Sequence, residues 1–502
     1  MPGKTRRPLV LISVMAAMFM SAVEGTIIAT AMPSIVGDLG GFSYYSWVFS
    51  VFLLTQAVTI PIYGKMADLF GRKPVFALGT GLFLLGSLLC GLANSMLQLV
   101  IFRALQGIGA GAVQPIATTV IGDIYTLQER GKIQGYVSSV WGVSAIIGPA
   151  LGGVLVQYVH WAWVFWINLP VGVLAILGLF FFLHETNERQ SHRIDYLGSG
   201  LLLVASSALM LTLIQGGVAW PWLSFPTLFM AVLTLAGLAL FLWQESRFPE
   251  PMMPLPIWRH RMIAIGNSVS LLNGMVVMGL SAFLPTYVQG VMGQSPLVAG
   301  FALAAMSIGW PIAGVVAGRI LLRIGFRSSA QFGAVFLLLG SLLFLLMSAE
   351  SGPLWAGTAS FTVGVGLGFL TTTFIVAIQS SVEWNLRGVA TASNMFMRIL
   401  GSTIGAALLG GILNARLLAF LQRHGEASGI PLNLEAGNLL LNPAEREALS
   451  PQALELLRQA MSSGMNSVYA VLLVISVVCL AMVWALPKGS EQSGDQPARS
   501  LP

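Results

Sequence analysis

Fourteen stretches of about 20 mostly apolar residues run along this 502-residue chain, each long enough to cross a bilayer as a helix. They lie at roughly 9–32, 45–63, 75–94, 98–121, 134–157, 163–183, 197–216, 226–244, 263–288, 297–318, 330–348, 354–379, 389–414 and 464–486. Backbone in lipid must satisfy its own hydrogen bonds, so runs of this length predict helices and not barrel strands. Charge scarcity agrees, with 9% of residues charged against roughly 25% in soluble domains. The expected fold is an all-α integral membrane protein with 14 transmembrane helices.

Orientation follows from Lys and Arg, which are retained on the cytoplasmic side during insertion. With the N-terminus inside, all but six of the 25 Lys and Arg residues fall in cytoplasmic segments. The exceptions are Arg103 and Arg398 within spans, and Arg416, Arg423, Arg446 and Arg458 in one long outer segment. Both termini are therefore expected in the cytoplasm, as in a multi-pass protein of a bacterial cytoplasmic membrane. The net charge of +6 is spread over inner loops without a basic patch, which argues against a nucleic-acid partner. The first 30 residues have the basic start of a signal peptide, but the apolar run carries Glu24, is too long and leads into further spans; it reads as span 1. Cys90 and Cys479 fall within spans and support neither a disulfide framework nor a metal site.

A charged turn, Gly64-Lys65-Met66-Ala67-Asp68-Leu69-Phe70-Gly71-Arg72-Lys73, joins spans 2 and 3. Its glycine spacing returns at Gly318 and Gly325, with Arg319, Arg323 and Arg327. A second echo links Leu127–Gly131 after span 4 to Glu383–Gly388 after span 12. These repeats pair spans 1–6 with spans 9–14, as in parallel-repeat secondary transporters. The expected division is an N-terminal six-helix bundle (1–184), an inserted helix pair with flanking loops (185–262), a C-terminal six-helix bundle (263–487) and a polar, disordered tail (488–502). The prolines of the second flanking loop suggest an extended strap. The outer segment 415–463 holds one amphipathic stretch, Pro443 to Met461, expected to be a helix on solvent or a partial lid.

Glu24 is the only acidic residue in the interior of a span. A carboxyl in low dielectric holds its proton more tightly than in water, and intramembrane acids commonly serve ion paths. Arg103 lies at a similar depth and is the expected partner that sets proton affinity, or else a structural tie. Arg398 is a second intramembrane cation, either lining a cavity or anchoring helices. Gly64, Asp68, Gly71, Arg72 and Lys73 form an expected gate at the inner mouth. Span 5 carries Gly142, Gly148, Pro149, Gly152 and Gly153, small residues and a kink suited to a helix that reseals a pathway. Gln56, Gln106, Trp141, Asn267, Asn273 and Tyr287 are candidate cavity-lining groups for lipophilic ligands. Gly107, Gly109 and Gly111 follow no strand, and no Gly-x4-Gly-Lys occurs, so nucleotide hydrolysis has no visible basis. No cluster of nucleophile, base and orienter suggests an enzyme.

These residues resemble the signatures of the major facilitator superfamily, and within it the 14-span drug:proton antiporter branch. Gly64–Lys73 is similar to the family's inner-loop signature, with Met66 where Leu is more usual. Leu99–Gly111 resembles the span 4 signature, whose Arg is implicated in proton transfer, and Gly148–Gly153 the span 5 signature of antiporters. Trp163–Gly172 and Asp195–Gly198 are similar to segments of the 14-span branch. Glu24-Gly25-Thr26-Ile27 stands where that branch commonly has Asp before Thr-Ile. The resemblance implies a proton-coupled exporter of lipophilic or monocationic small molecules, with protons as the coupling ion, no further cofactor, and membrane lipids around a monomer. A single membrane acid favours neutral compounds or monocations over dications. A dedicated lipid or metabolite exporter and a non-transporting sensor or scaffold remain open, as does an envelope partner.

Overall fold

The structure is a computed structural model and describes residues 5–125, 127–185, 195–249, 251, 255–382, 387–424 and 431–486. The first bundle comprises α1 (Arg7–Leu39), α2 (Tyr45–Phe70), α3 (Arg72–Gly91), α4 (Met96–Ile124), α5 (Leu127–Tyr158), the short α6 (Trp163–Trp166) and α7 (Asn168–Phe182). The inserted pair is α8 (Tyr196–Gln215) and α9 (Phe225–Arg247). The second bundle comprises α10 (Arg261–Thr286), α11 (Pro296–Leu345, two spans in one), α12 (Gly352–Ser380), α13 (Arg387–His424), the short α14 (Ala436–Leu441) and α15 (Pro443–Ala448), and α16 (Pro451–Trp484). Among the described residues, 13 helical segments are long and apolar enough to cross a membrane; the remaining span, in α5, has the shorter apolar stretch Gly142–Tyr158.

Local chemistry sets several helix starts. Ser95, Asp195, Ser295, Asn442 and Ser450 each accept a backbone N–H at the start of α4, α8, α11, α15 and α16. Proline follows in the first turn of α11, α15 and α16, where its missing N–H is harmless. α9 turns Leu228, Val232, Leu235 and Trp243 outward, an apolar face suited to lipid. The bundles meet along α5–α11 and α2–α13, and α8 lies against both α2 and α13.

The charged turn is shorter than its sequence suggests. α2 stays helical through Gly64 to Phe70, and the break is Gly71 alone, at φ +98°. The second copy repeats this: α11 continues past Gly318 and breaks at Gly325, φ +81°. Of the glycines in these two turns, Gly71 and Gly325 have the positive φ that a side chain disfavours. Leu127 opens α5 and is not in a loop, so the segment after span 4 is a helical first turn. Its counterpart at 383–386 lies outside the described residues, as do 186–194 and the tail 487–502. In the proline-rich strap, Leu255–Arg259 is a 3-10 turn and not extended chain.

The described part of segment 415–463 is mostly helical. α13 runs on to His424, and α16 starts at Pro451 and continues unbroken through the last span. The single amphipathic helix expected from Pro443 to Met461 is split at Leu449–Ser450, because Ser450 caps a new helix and Pro451 cannot extend the preceding one. α14, which hydropathy did not flag, buries Leu440 and Leu441.

Candidate functional site

Glu24 and Arg103 meet inside the first bundle, at 0% and 1% exposure. Arg103 Nη1 donates to Glu24 Oε1 and, at 2.6 Å, to Gln106 Oε1. Gln106 Nε2 donates to Ser87 Oγ at 2.7 Å. Asn168 Nδ2 donates to Glu24 Oε2 at 2.6 Å and to Ser87 Oγ at 3.4 Å, closing a ring of five side chains. Arg103 Nε donates to the Val48 carbonyl at 3.3 Å, and its guanidinium lies 4.0 Å from the Phe52 ring centre. α1, α3, α4 and α7 thus each supply a polar member, while α2 supplies a carbonyl and an aromatic face. Every charge in this buried site has a partner, the condition for burying an ion pair.

Backbone packing makes the ring possible. A Cβ on Gly86 would stand 2.6 Å from the Gln106 backbone, so glycine lets α3 and α4 close where Ser87 meets Gln106. α5 passes behind Glu24. Side chains at Gly148 and Gly152 would overlap the Thr26 and Thr30 hydroxyls of α1, and one at Gly153 would come within 2.8 Å of Leu297 Cα on α11. Pro149 is buried on the same helix, with its carbonyl against Gly300, and Gly142 faces Pro311. The glycine-rich helix is therefore wedged between the acid-bearing helix and the second bundle.

At the face bearing the chain ends, Arg72 Nε donates to Asp123 Oδ2 at 3.2 Å and its Nη1 to the Ala67 carbonyl at 2.6 Å. Lys73 donates through its backbone N–H to Glu185 (2.9 Å) and through Nζ to the Phe180 carbonyl (3.0 Å). The side chains of Asp68 and Trp141 lie outside the described residues.

The opposite face is sealed across the bundles. Tyr45 donates to the Ala282 carbonyl and lies 2.8 Å from the Thr286 hydroxyl, and Gln289 donates to the Thr30 carbonyl at 3.2 Å. Helices α14 and α15 and the residues before them add a cap. Asn442 donates to the Gly37 carbonyl (2.7 Å), while Phe42 and Gly41 donate backbone N–H groups to Asn438 and Glu435 (both 3.2 Å). Leu440 and Leu441 pack on Gly290.

The remaining candidate residues disperse. Gln106 sits in the ring, and Gln56 is half-buried on α2. Tyr287 is buried against Tyr469, its hydroxyl donating to the Met347 carbonyl at 3.4 Å. Asn267 donates to Ser393 Oγ at 3.2 Å, and Asn394 donates to Asn267 Oδ1 (3.1 Å) and Ser270 Oγ (2.7 Å), a polar seam between α10 and α13. Asn273 Oδ1 is buried without a partner. Arg398 is half-buried on α13. Sequence reasoning missed Ser87, Asn168 and Asn394; only Asn168 carried a signal, as part of the Trp163–Gly172 segment.

Residues 14–406 match the Major Facilitator Superfamily. The multidrug transporter protein MdtP of Bacillus subtilis (strain 168) is 36% identical over 413 residues, 82% of this chain and 76% of that protein. Multidrug resistance protein 3 of the same organism is 33% identical over 486 residues, 96% of this chain and 94% of that protein. Among solved structures, a bacterial homologue of the human lysosomal transporter Spinster, inward-facing and unoccupied, aligns with a TM-score of 0.65 at 16% identity, covering 96% of this chain and 98% of its own. The chain is a transporter and belongs to the Major Facilitator Superfamily.

Proposed function

We propose that the chain is a proton-coupled antiporter that exports lipophilic small molecules by alternating access, a multidrug efflux pump of a bacterial cytoplasmic membrane with both termini in the cytoplasm. The carrying observation is the closed ring around Glu24, the one intramembrane acid, held by Arg103 and Asn168 and backed by α5. The named multidrug relatives support the substrate class.

The ring contains one group that can gain a proton and one that cannot lose its own, because a guanidinium stays charged in proteins. Proton binding to Glu24 cancels its attraction for Arg103, and Arg103 then leans on Gln106 and the Val48 carbonyl. α1 carries Glu24 and Thr26 on one helix turn, so a shift there is passed through Gly148 and Gly152 to α5, and through Gly153 to α11. That path biases the two bundles toward one of two packings, as coupling between a proton site and a moving interface requires. The seal across the bundles at the outer face suits an inward-facing state. Substrate entering from the cytoplasm and proton release from Glu24 inward favour one another.

The test is dye export by the purified protein in liposomes under an imposed pH gradient. Export that follows the gradient and collapses with a protonophore is expected; gradient-independent equilibration would contradict antiport. A panel of unrelated dyes separates multidrug export from a narrow substrate range.

A further inference from the structure

Arg398 is a cation without a counter-charge. Among the described residues it has no ion pair, hydrogen bond or ring contact, although its own carbonyl accepts from Ser402. The sequence offers it no acid, since no Asp or Glu lies within the spans of the second bundle. Glu24 is already held by Arg103. Arg398 lies nine residues into the apolar run 389–414 of α13, so it stands about 13 Å inside that boundary. Arginine cannot escape burial by neutralising itself. An unmatched charge at such a depth is expensive and faces water or a ligand.

Packing directs the side chain outward from its helix pair. A Cβ at Gly274 would overlap the Arg398 carbonyl, and one at Gly401 would overlap the Leu271 carbonyl. α10 and α13 therefore touch backbone to backbone here, with no room between them for a guanidinium. One turn toward the cytoplasm on α13 is Asn394, within the seam of Asn267, Ser270 and Ser393. Asn273, the neighbour of Gly274 and 3% exposed, holds the unpartnered amide oxygen. A donor and an acceptor at one depth thus both lack partners, in a structure whose opposite face is closed.

Building on the transport reading, we infer that Arg398 forms a substrate subsite that recognises an acidic group, carboxylate-like in charge and geometry, on an otherwise lipophilic molecule. The first bundle holds the proton and the second holds the anion. Substrates then extend beyond the neutral and monocationic compounds suggested by a lone membrane acid. Arginine's planar fork matches a carboxylate bidentately, so charge and shape select together.

The test is equilibrium binding to the full-length protein in nanodiscs with no pH gradient, which keeps it separate from proton coupling. The probes are 11-(dansylamino)undecanoic acid, its methyl ester and a trimethylammonium analogue of the same length. Wild type should bind the carboxylate at least about tenfold more tightly than the ester or the ammonium, the scale of a hydrogen bond to a charged group. Arg398→Gln should erase that preference while leaving ester binding unchanged, and Arg398→Lys should keep part of it. Octanoate should displace the carboxylate probe from wild type, a measurement that needs no variant to fold. Equal binding of all three probes by wild type, a preference for the ammonium, or an Arg398→Gln variant that weakens all three alike would overturn the assignment. Failure of gradient-driven export with this preference intact would instead refute the antiport reading alone.

Discussion

Removing either partner of the Glu24–Arg103 pair should have unequal consequences. Glu24→Gln keeps size and an acceptor oxygen but removes the counter-charge, leaving Arg103, 1% exposed, with neutral partners alone: the new amide, Gln106 and the Val48 carbonyl. A buried cation deprived of its counter-ion destabilises by about 3–5 kcal/mol. Arg103→Gln strands a carboxylate instead, which takes up a proton and stays bonded to Asn168; the loss falls to about 1–2 kcal/mol. The double variant removes both charges and should lie within about 1 kcal/mol of wild type, since apolar or neutral replacement of a buried pair is often nearly neutral. The two positions are then coupled by at least about 3 kcal/mol. Unfolding in mixed micelles, followed by the signals of the intrinsic tryptophans, ranks the four proteins. The order wild type, double variant, Arg103→Gln, Glu24→Gln is expected. A double variant as damaged as both single losses added together, or Arg103→Gln below Glu24→Gln, would refute the reasoning.

Other perturbations read other parts of the structure. Gly148→Val drives a side chain into the Thr26 hydroxyl and should lower stability by about 1–3 kcal/mol, with export falling more steeply than protein yield in membranes. Asn168→Leu removes the donor to Glu24 Oε2 at 2.6 Å, a charge-assisted bond worth about 1.5–3 kcal/mol, and initial export rates should drop at least about tenfold. Tyr45→Phe removes the bonds to Ala282 and Thr286 and should raise the outward-open population by roughly 2–10-fold, the equivalent of about 0.5–1.5 kcal/mol. Maleimide labelling of a Ser46→Cys reporter from outside measures that shift, because Ser46 is buried under Gly410 in the sealed state.

The sequence made the charged pair visible because an intramembrane acid is rare and the depth of a residue in a span can be counted. It did not reveal the ring. Ser87 and Asn168 are uncharged and sit where small polar residues usually serve packing or helix starts, and Gln106 reads as a cavity-lining amide and not as a partner of Arg103. Which amide faces which acid depends on the rotation of four helices about their axes, and that is set by close approaches such as Gly86 on Gln106. The charged turn was legible as a repeat, but helix persistence to Phe70 was not, since hydropathy marks where lipid ends and not where hydrogen bonding ends. The same reason hid the long extensions of α13 and α16 beyond their apolar runs and the buried face of α14.

Proton exchange at Glu24 is the centre of this account, and it can be watched without transport. Purified protein in weakly buffered detergent solution, with a pH-indicating dye, receives a saturating lipophilic substrate. Wild type should release protons on substrate addition, and Glu24→Gln should release none while still binding the same substrate. Equal release by both proteins would contradict the assignment of Glu24 as the proton carrier.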